Sequence, residues 1–315
     1  LLPPLKRLLT AVKKEKIVAV DILLSYAYHA KTDLSLIRSA LGPNQKLMID
    51  SGAFTAYTLG KPIQLTEYAE FLNRWRGVYD YAITLDVIGN PKETANNLRF
   101  LEKKQLSVLP VYTATAHLRE LKALAKDYDY LAFGGVVGVP KHLRVPATKR
   151  VVEEAQNSGA RVHTLGQASI DMFKKTGAYS GDSSSASQMP KYASLPIYNP
   201  RSHSFISCVL GDKRLWQKYA DLFYSYGLPA QACLTGDIIR DRKKRIVGYR
   251  AGILAVAAMS ADLRQEKDTP RAYSAITHPT EGPAAIYIAA TDWRTANLPS
   301  PLRQLAERSN EALCL

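Results

Sequence analysis

Asp50, Asp86 and Asp182 each close a short apolar run at a point where the chain has to turn. The first run reads Leu47-Met48-Ile49-Asp50-Ser51-Gly52-Ala53-Phe54, a β-prone stretch that stops at a carboxylate, a hydroxyl and a glycine. The same grammar recurs at Ala82-Ile83-Thr84-Leu85-Asp86, at Leu131-Ala132-Phe133-Gly134-Gly135, at Val162-His163-Thr164-Leu165-Gly166 and at Ala178-Tyr179-Ser180-Gly181-Asp182-Ser183. Carboxylates held at strand ends can act as nucleophiles or carry protons. Functional groups at the ends of several parallel strands are the layout that a β/α barrel offers.

The segments between these runs have helix length. Periodicity predicts a buried strand over 17–26, then a helix over 62–75 with Thr66 as its cap, and a strand over 81–86. Helix 92–104, strand 107–112, helix 116–126, strand 129–135, helix 146–158, strand 161–165, helix 169–175 and strand 178–183 follow. With the strand at 47–50, seven strands precede residue 185, separated by helices and joined by connections that suit a parallel sheet. The expected fold is α/β, a (β/α)8 TIM-like barrel with a basic, partly helical C-terminal elaboration. Its eighth strand is sought in the N-terminal residues or later in the chain, at Phe205–Leu210 or Ala285–Ala289. A doubly wound open sheet is the rival, because periodicity does not show closure. Residues 1–187 form the main part of the barrel in this reading, and residues 188–315 complete it and add a basic nucleic-acid-binding elaboration.

The 315 residues carry 42 Lys and Arg against 28 Asp and Glu, a net charge of +14, with 46% hydrophobic residues. That apolar content argues against disorder, and the basic excess points to a polyanion, nucleic acid first. Arg240, Arg242, Lys243, Lys244 and Arg245 form the densest basic cluster, with Arg250 and Tyr249 close by and Tyr224 and Tyr226 before it. Cations and stackable rings brought together suit a nucleic-acid strand; a solvated hairpin is the plainer alternative. Residues 4–15 read as a basic amphipathic helix covering one end of the barrel, and 190–203 as a proline-rich loop across its mouth. Helices are expected at 212–226 and 247–264, whereas 266–282 and the tail beyond 294 look loop-rich. Cys208, Cys233 and Cys314 are too scattered for a disulfide framework or a cysteine zinc site, which fits a reducing cytoplasm. No apolar run reaches the ~18–20 residues that span a bilayer, and no signal-peptide pattern is present, so neither membrane nor cofactor is expected.

The ordered set IDSGAF (49–54), TLDV (84–87), FGGVVG (133–138) and GDSSSA (181–186), preceded by SYAYH (25–29), resembles the tRNA-guanine transglycosylase superfamily over residues 17–187. Within it, the chain looks most like the phage and bacterial DNA 7-deazaguanine transglycosylases, the DpdA family. The resemblance implies that Asp182 is the nucleophile and that Asp50 handles protons of the exchanging base. It implies further that Asp86 reads the guanine edge, that the Gly134 and Gly135 backbone approaches the base, that Phe54 stacks on it, and that Ser51 contacts the base or the turn. DNA and a 7-deazaguanine base are the implied partners, with tRNA as the alternative.

The chain also departs from the family. Thr55 stands where the family's glutamine follows the aromatic, a second glutamine is replaced near Tyr112, and the CxCxxC-plus-His zinc site of the tRNA enzymes is absent. The retained carboxylates with a changed periphery fit a relative working on another nucleic acid. Base exchange passes through an oxocarbenium-like state, which one carboxylate can trap covalently while a second handles the base's proton. Taken singly, each residue has a simpler role: Asp182 a turn cap, Asp50 and Asp86 turn or salt-bridge carboxylates, Phe54 a core residue, Gly134-Gly135 a bend, and His163 a satisfied core or neighbouring histidine. A non-catalytic nucleic-acid-binding subunit and a barrel acting on free glycosides are the competing functions.

Overall fold

The computed structural model of the chain describes residues 21–41, 45–136, 139–183, 194–199, 201–209, 211–225, 255–260, 262–263 and 285–290. Strands and helices alternate through the first part: β1 (Asp21–Ser25), α1 (Tyr26–His29), α2 (Leu34–Ala40), β2 (Leu47–Asp50), α3 (Ala53–Leu59), α4 (Leu65–Arg74) and β3 (Tyr81–Ala82). They continue as α5 (Pro91–Lys103), β4 (Val111–Thr113), α6 (Leu118–Asp127), β5 (Tyr130–Gly134), α7 (Lys141–Gln156), β6 (Arg161–Thr164), α8 (Ile170–Thr176) and β7 (Ser180–Ser183). After β7 come β8 (Ser194–Asn199), β9 (Ser204–Val209), α9 (Lys213–Lys218), α10 (Ala220–Ser225) and β10 (Ala285–Ala290).

Eight strands form one sheet in the order β3-β2-β1-β10-β7-β6-β5-β4, and every pair in it is parallel. Each neighbour that follows in sequence is reached through a helix, as parallel pairing requires. The last strand, β10, lies between β1 and β7, with Tyr287 in register with both Asp21 and Asp182. Just beyond β3 the chain also meets the segment before β4. Leu109 N–H donates to the Ala82 carbonyl at 2.7 Å, Thr84 N–H donates to the Leu109 carbonyl at 3.0 Å, and Ile83 and Leu109 form a parallel bridge.

Alternation along the strands divides the apolar side chains into two groups. Ile22, Leu24, Leu47, Ile49, Leu131, Phe133 and Val162 pack with Leu34, Tyr68, Leu72, Leu101, Leu121 and Val152 of the helices in one large core. Leu23, Met48, Ile83, Leu109, Val111, Tyr130 and Ala132 form a separate cluster on the other face. Asp50 lies two positions beyond Met48 and shares that second face. Ser180 bonds Tyr130 of the same cluster, so Asp182, two residues further on, belongs to it as well.

The structure corrects several expected elements. Within segment 190–203, Ser194–Asn199 form β8 rather than a loop; β8 pairs antiparallel with β9 and places Pro196 opposite Ser207. A two-stranded sheet tolerates this proline because each strand has a free edge. For the same reason the run at 205–210 is a hairpin strand, and the eighth strand of the main sheet is the other candidate, at Ala285–Ala290. The hairpin packs against buried Trp216 and Phe223, whose rings stack at 3.6 Å, while Tyr198 and His203 both bond the Asp262 carboxylate. Helix α4 is entered through Gln64 rather than capped by Thr66. Helix α7 starts at Lys141 with Pro146 inside it; proline marks first turns so often that the residue misplaces this start. Cys208 is buried and its thiol is pushed up to about 12, which leaves it inert as a nucleophile. No described helix is long and apolar enough to cross a membrane.

Candidate active site

The three carboxylates come from three strand ends, and local hydrogen bonds hold the turn around each one. Asp50 ends β2, and its Oδ2 accepts the Gly52 N–H at 3.0 Å. Gly52 has φ +80°, and a Cβ there would lie 2.3 Å from Ser25 Oγ and 2.5 Å from Ala27 Cβ, so only glycine lets the turn close against β1. Ser51 is fully buried; its Oγ accepts the Ala53 N–H at 3.3 Å and bonds the Asp86 carboxylate. The residue expected to touch base or turn thus ties the Asp50 turn to Asp86.

Asp86 stands in the loop between β3 and α5, and its two neighbours are pinned to that helix. Asn97 Nδ2 donates to the Leu85 carbonyl at 2.8 Å, and Val87 N–H donates to Thr94 Oγ at 2.9 Å. Helix α5 is in turn fixed at its start, where Asn90 accepts the Glu93 N–H and Pro91 begins the first turn. The helix therefore carries two side chains that set the direction of a carboxylate on the preceding loop.

Asp182 lies on β7 and is 7% exposed. Its Oδ1 accepts the Gly166 N–H at 2.8 Å and lies 3.3 Å from His163 Nε2, so the β6–α8 loop and β6 both meet it. Residue 181 sets that approach. A Cβ on Gly181 would come within 2.5 Å of the Gln167 carbonyl and of Thr164 Oγ, which itself donates to the Gln167 carbonyl at 2.7 Å. Gly181→Ala is therefore expected to push the β6–α8 loop off β7. The variant should lose roughly 1–3 kcal/mol of stability, the usual cost of overpacking, measured by urea unfolding. An unchanged midpoint would mean that the loop yields freely.

The electrostatics show that these groups share one environment. Asp50 is pushed up to about 8, first by burial and then by the negative charges of Asp86 and Asp182. Burial also raises Asp86, to about 6, with its own N–H and the Ser51 hydroxyl opposing the shift. At neutral pH Asp50 therefore holds a proton while Asp86 is mostly ionised. Tyr68, fully buried and donating to the Ile83 carbonyl at 2.7 Å, feels both Asp50 and Asp86 and keeps its phenol proton.

Phe54 stands on α3 and is 50% exposed, so it is not the core residue that an isolated phenylalanine would most often be. Tyr57, one turn on, and Tyr28 on α1 are exposed too. Gly134 ends β5, where its carbonyl accepts the Ala114 N–H at 3.1 Å, and exposed Gly135 turns with φ +77°. A Cβ on Gly135 would press on the Ala114 N–H at 3.3 Å. Arg240, Arg242, Lys243, Lys244 and Arg245 lie outside the described residues, as do 4–15, Tyr226, Tyr249 and most of the Ser183–Ser187 run. Among the described residues no group of three or more His, Cys, Asp or Glu side chains is placed to hold a metal ion.

Sequence reasoning read His163 as a satisfied core or neighbouring histidine, and it gave Ser180 and Tyr130 no role. The signal available was strand parity. His163 pairs with Ser180 across β6 and β7, and Asp182 lies two residues beyond Ser180 on the same face.

No family model matches the chain, and no curated protein matches it. Among solved structures, one described as a structural study from Aquifex aeolicus VF5 is 14% identical; the match covers 81% of this chain and 99% of that chain, at a TM-score of 0.36. A likeness this loose carries no argument.

Proposed function

We propose that this chain is a DNA-guanine transglycosylase that exchanges guanine in DNA for a 7-deazaguanine base through a covalent aspartyl-glycosyl intermediate. The observation that carries the reading is the raised affinity of Asp50 for its proton, caused in part by the charges of Asp86 and Asp182. A carboxyl that keeps its proton can serve as the acid while another carboxylate attacks, which divides the work of base exchange. Asp182 attacks the sugar carbon as the guanine departs, and Asp50, starting as the acid, protonates the departing base. As a carboxylate it then takes a proton from the incoming base. Asp86, ionised at neutral pH, accepts hydrogen bonds from the N–H and amino groups on the guanine edge. Two displacements at one carbon retain configuration.

The sheet supports a closed barrel as the scaffold. Its two edge strands are bridged at Ile83 and Leu109, and one face of the strands encloses an apolar cluster of its own. In a barrel the carboxylates lie at the C-terminal mouth, where such folds hold their active sites. A base inside a stacked duplex cannot reach that position, so the target nucleotide has to leave the helix. The half-exposed ring of Phe54 is then the surface offered for stacking.

The deciding experiment incubates the purified chain with guanine-labelled duplex DNA, single-stranded DNA and tRNA, each with a panel of 7-deazaguanines, and follows label release. Release from DNA alone is expected. Release from tRNA alone would move the substrate class, and no release from any of the three would leave a binding protein. In the same assay an unpaired guanine should react faster than a paired one, because extrusion then costs least. Phe54→Ala should weaken base binding by ~1–3 kcal/mol, the usual worth of base–aromatic stacking. Equal rates on paired and unpaired sites, with an unchanged KM for Phe54→Ala, would remove the stacking role.

A further inference from the structure

Beneath Asp182 a row of buried polar groups runs away from the mouth of the site. Asp182 Oδ1 lies 3.3 Å from His163 Nε2, His163 Nδ1 lies 2.8 Å from Ser180 Oγ, and Ser180 Oγ lies 2.6 Å from the Tyr130 hydroxyl. His163 and Ser180 are fully buried, and Tyr130 is 5% exposed. The next groups along are aromatic and cationic. Tyr81 and Tyr179 meet the Tyr130 ring edge-on, and the Arg161 guanidinium lies over the Tyr130 and Tyr179 rings at 5.2 and 4.8 Å. Buried polar atoms need partners, and within this row the serine links the phenol to the imidazole.

The serine has a single proton to place. If Ser180 donates to His163 Nδ1, its oxygen accepts the Tyr130 phenol proton, and the imidazole proton sits on Nε2, facing a carboxylate oxygen. In the reverse order Ser180 donates to the phenol oxygen, and Nδ1–H donates to Ser180. In a ring carrying one proton the Nε2 lone pair would then face the Asp182 lone pairs at 3.3 Å, which is repulsive in a dry interior. Burial holds the Tyr130 phenol well above its usual range, so it keeps its proton and acts as the donor at the far end.

On the reading that Asp182 is the nucleophile, we propose that His163 is its positioning residue: an imidazole held by the Tyr130–Ser180 pair so that Nε2, carrying a proton, faces Asp182 Oδ1 at 3.3 Å. The Gly166 N–H donates to the same oxygen at 2.8 Å, and the His163 Nε2 edge lies beside it at 3.3 Å, close but short of a hydrogen bond in this geometry. Oδ1 is thereby engaged and Oδ2 is the oxygen turned to the sugar. In the first displacement the Oδ2–C1′ bond forms while the bond from C1′ to the base breaks. The base leaves with that electron pair and takes its proton from Asp50. In the second displacement the incoming base supplies the electron pair, its proton passes to Asp50, and Asp182 departs as a carboxylate. The His163 proton stays on Nε2 throughout. Its work is to hold the carboxylate's angle and to stabilise its charge when the ester opens.

Two measurements on the full chain test this. In protein labelled with ¹⁵N-histidine at neutral pH, the ring signals absent from His163→Gln belong to His163, and they should report a proton on Nε2. A ring with no proton on Nε2 overturns the proposal. The second measurement compares His163→Gln with His163→Asn in base exchange. A glutamine amide reaches about as far as Nε2 and can still donate to Oδ1, whereas an asparagine amide reaches only about as far as Nδ1. The glutamine variant is expected to keep most of the wild-type kcat. The asparagine variant should lose about 10²-fold in kcat, as expected for a misplaced reacting group, with KM unchanged. Equal kcat in the two variants overturns the positioning role while the proposed function stands. A wild-type chain that exchanges no base on DNA or tRNA overturns the proposed function itself, and with it any nucleophile for His163 to position.

Discussion

Asp182→Ala is expected to abolish base exchange and the covalent adduct together, lowering kcat by ~10⁴–10⁶-fold, the range for removing a nucleophile from an otherwise intact site. The adduct is the sharper readout. Denaturing the protein during turnover should leave nucleic acid attached to wild type at Asp182, located by peptide mapping, and none attached to the variant. Asp182 is well placed for this part because both contacts at its carboxylate fall on Oδ1 and come from β6 and the loop that follows it. The variant should still bind DNA, since Asp86, Phe54 and the backbone at Gly134 and Gly135 are untouched. Asp182→Asn at full turnover would overturn the covalent mechanism.

Asp50→Asn should lower activity and raise stability, and the stability gain should depend on pH. Activity is expected to fall ~10²–10⁴-fold, the usual contribution of a positioned acid or base. The stability effect follows from the carboxyl's shift to about 8 in the folded chain, against about 3.9 in an unfolded one. Below about pH 4 both states hold the proton and Asp50 imposes no penalty. Between about 4 and 8 only the folded state keeps it, so this group's contribution declines steadily as pH rises. Above about 8 the folded state has ionised too, and the full penalty is present. Asparagine removes that charge. The variant should therefore match wild type near pH 4 and exceed it at pH 8 by on the order of 2–5 kcal/mol, measured by urea unfolding at each pH. A stability difference that does not change between pH 4 and 8 would mean that Asp50 is ionised at neutral pH and cannot start as the acid. Asp86, raised only to about 6, should govern the acid limb of kcat/KM. Asp86→Asn should remove that limb.

The amino-acid sequence by itself determined the alternation of strands and helices and the three carboxylates at strand ends. Those features are local: alternation and helical periodicity repeat within a few residues, and a carboxylate followed by Ser-Gly reads as a strand meeting a turn. It also narrowed the eighth strand to the N-terminal residues or two later runs. Choosing between them was beyond local pattern, because 205–210 and 285–290 are both β-prone. Pairing decided it: β9 found an antiparallel partner in β8, while β10 fits between β1 and β7 with Tyr287 beside Asp182. Proline density made 190–203 look like a loop, yet a two-stranded hairpin with open edges has room for Pro196. Phe54 gave no local sign of being exposed; only the packing of α3 left its ring half in solvent. His163 is the clearest case of tertiary decision. Its place in the Val162–Gly166 run reads only as a core or neighbouring histidine, since its partners Ser180 and Asp182 lie on the next strand and Tyr130 on the one before. Parallel register set those residues beside one another, and burial then made their few hydrogen bonds decide where a proton sits.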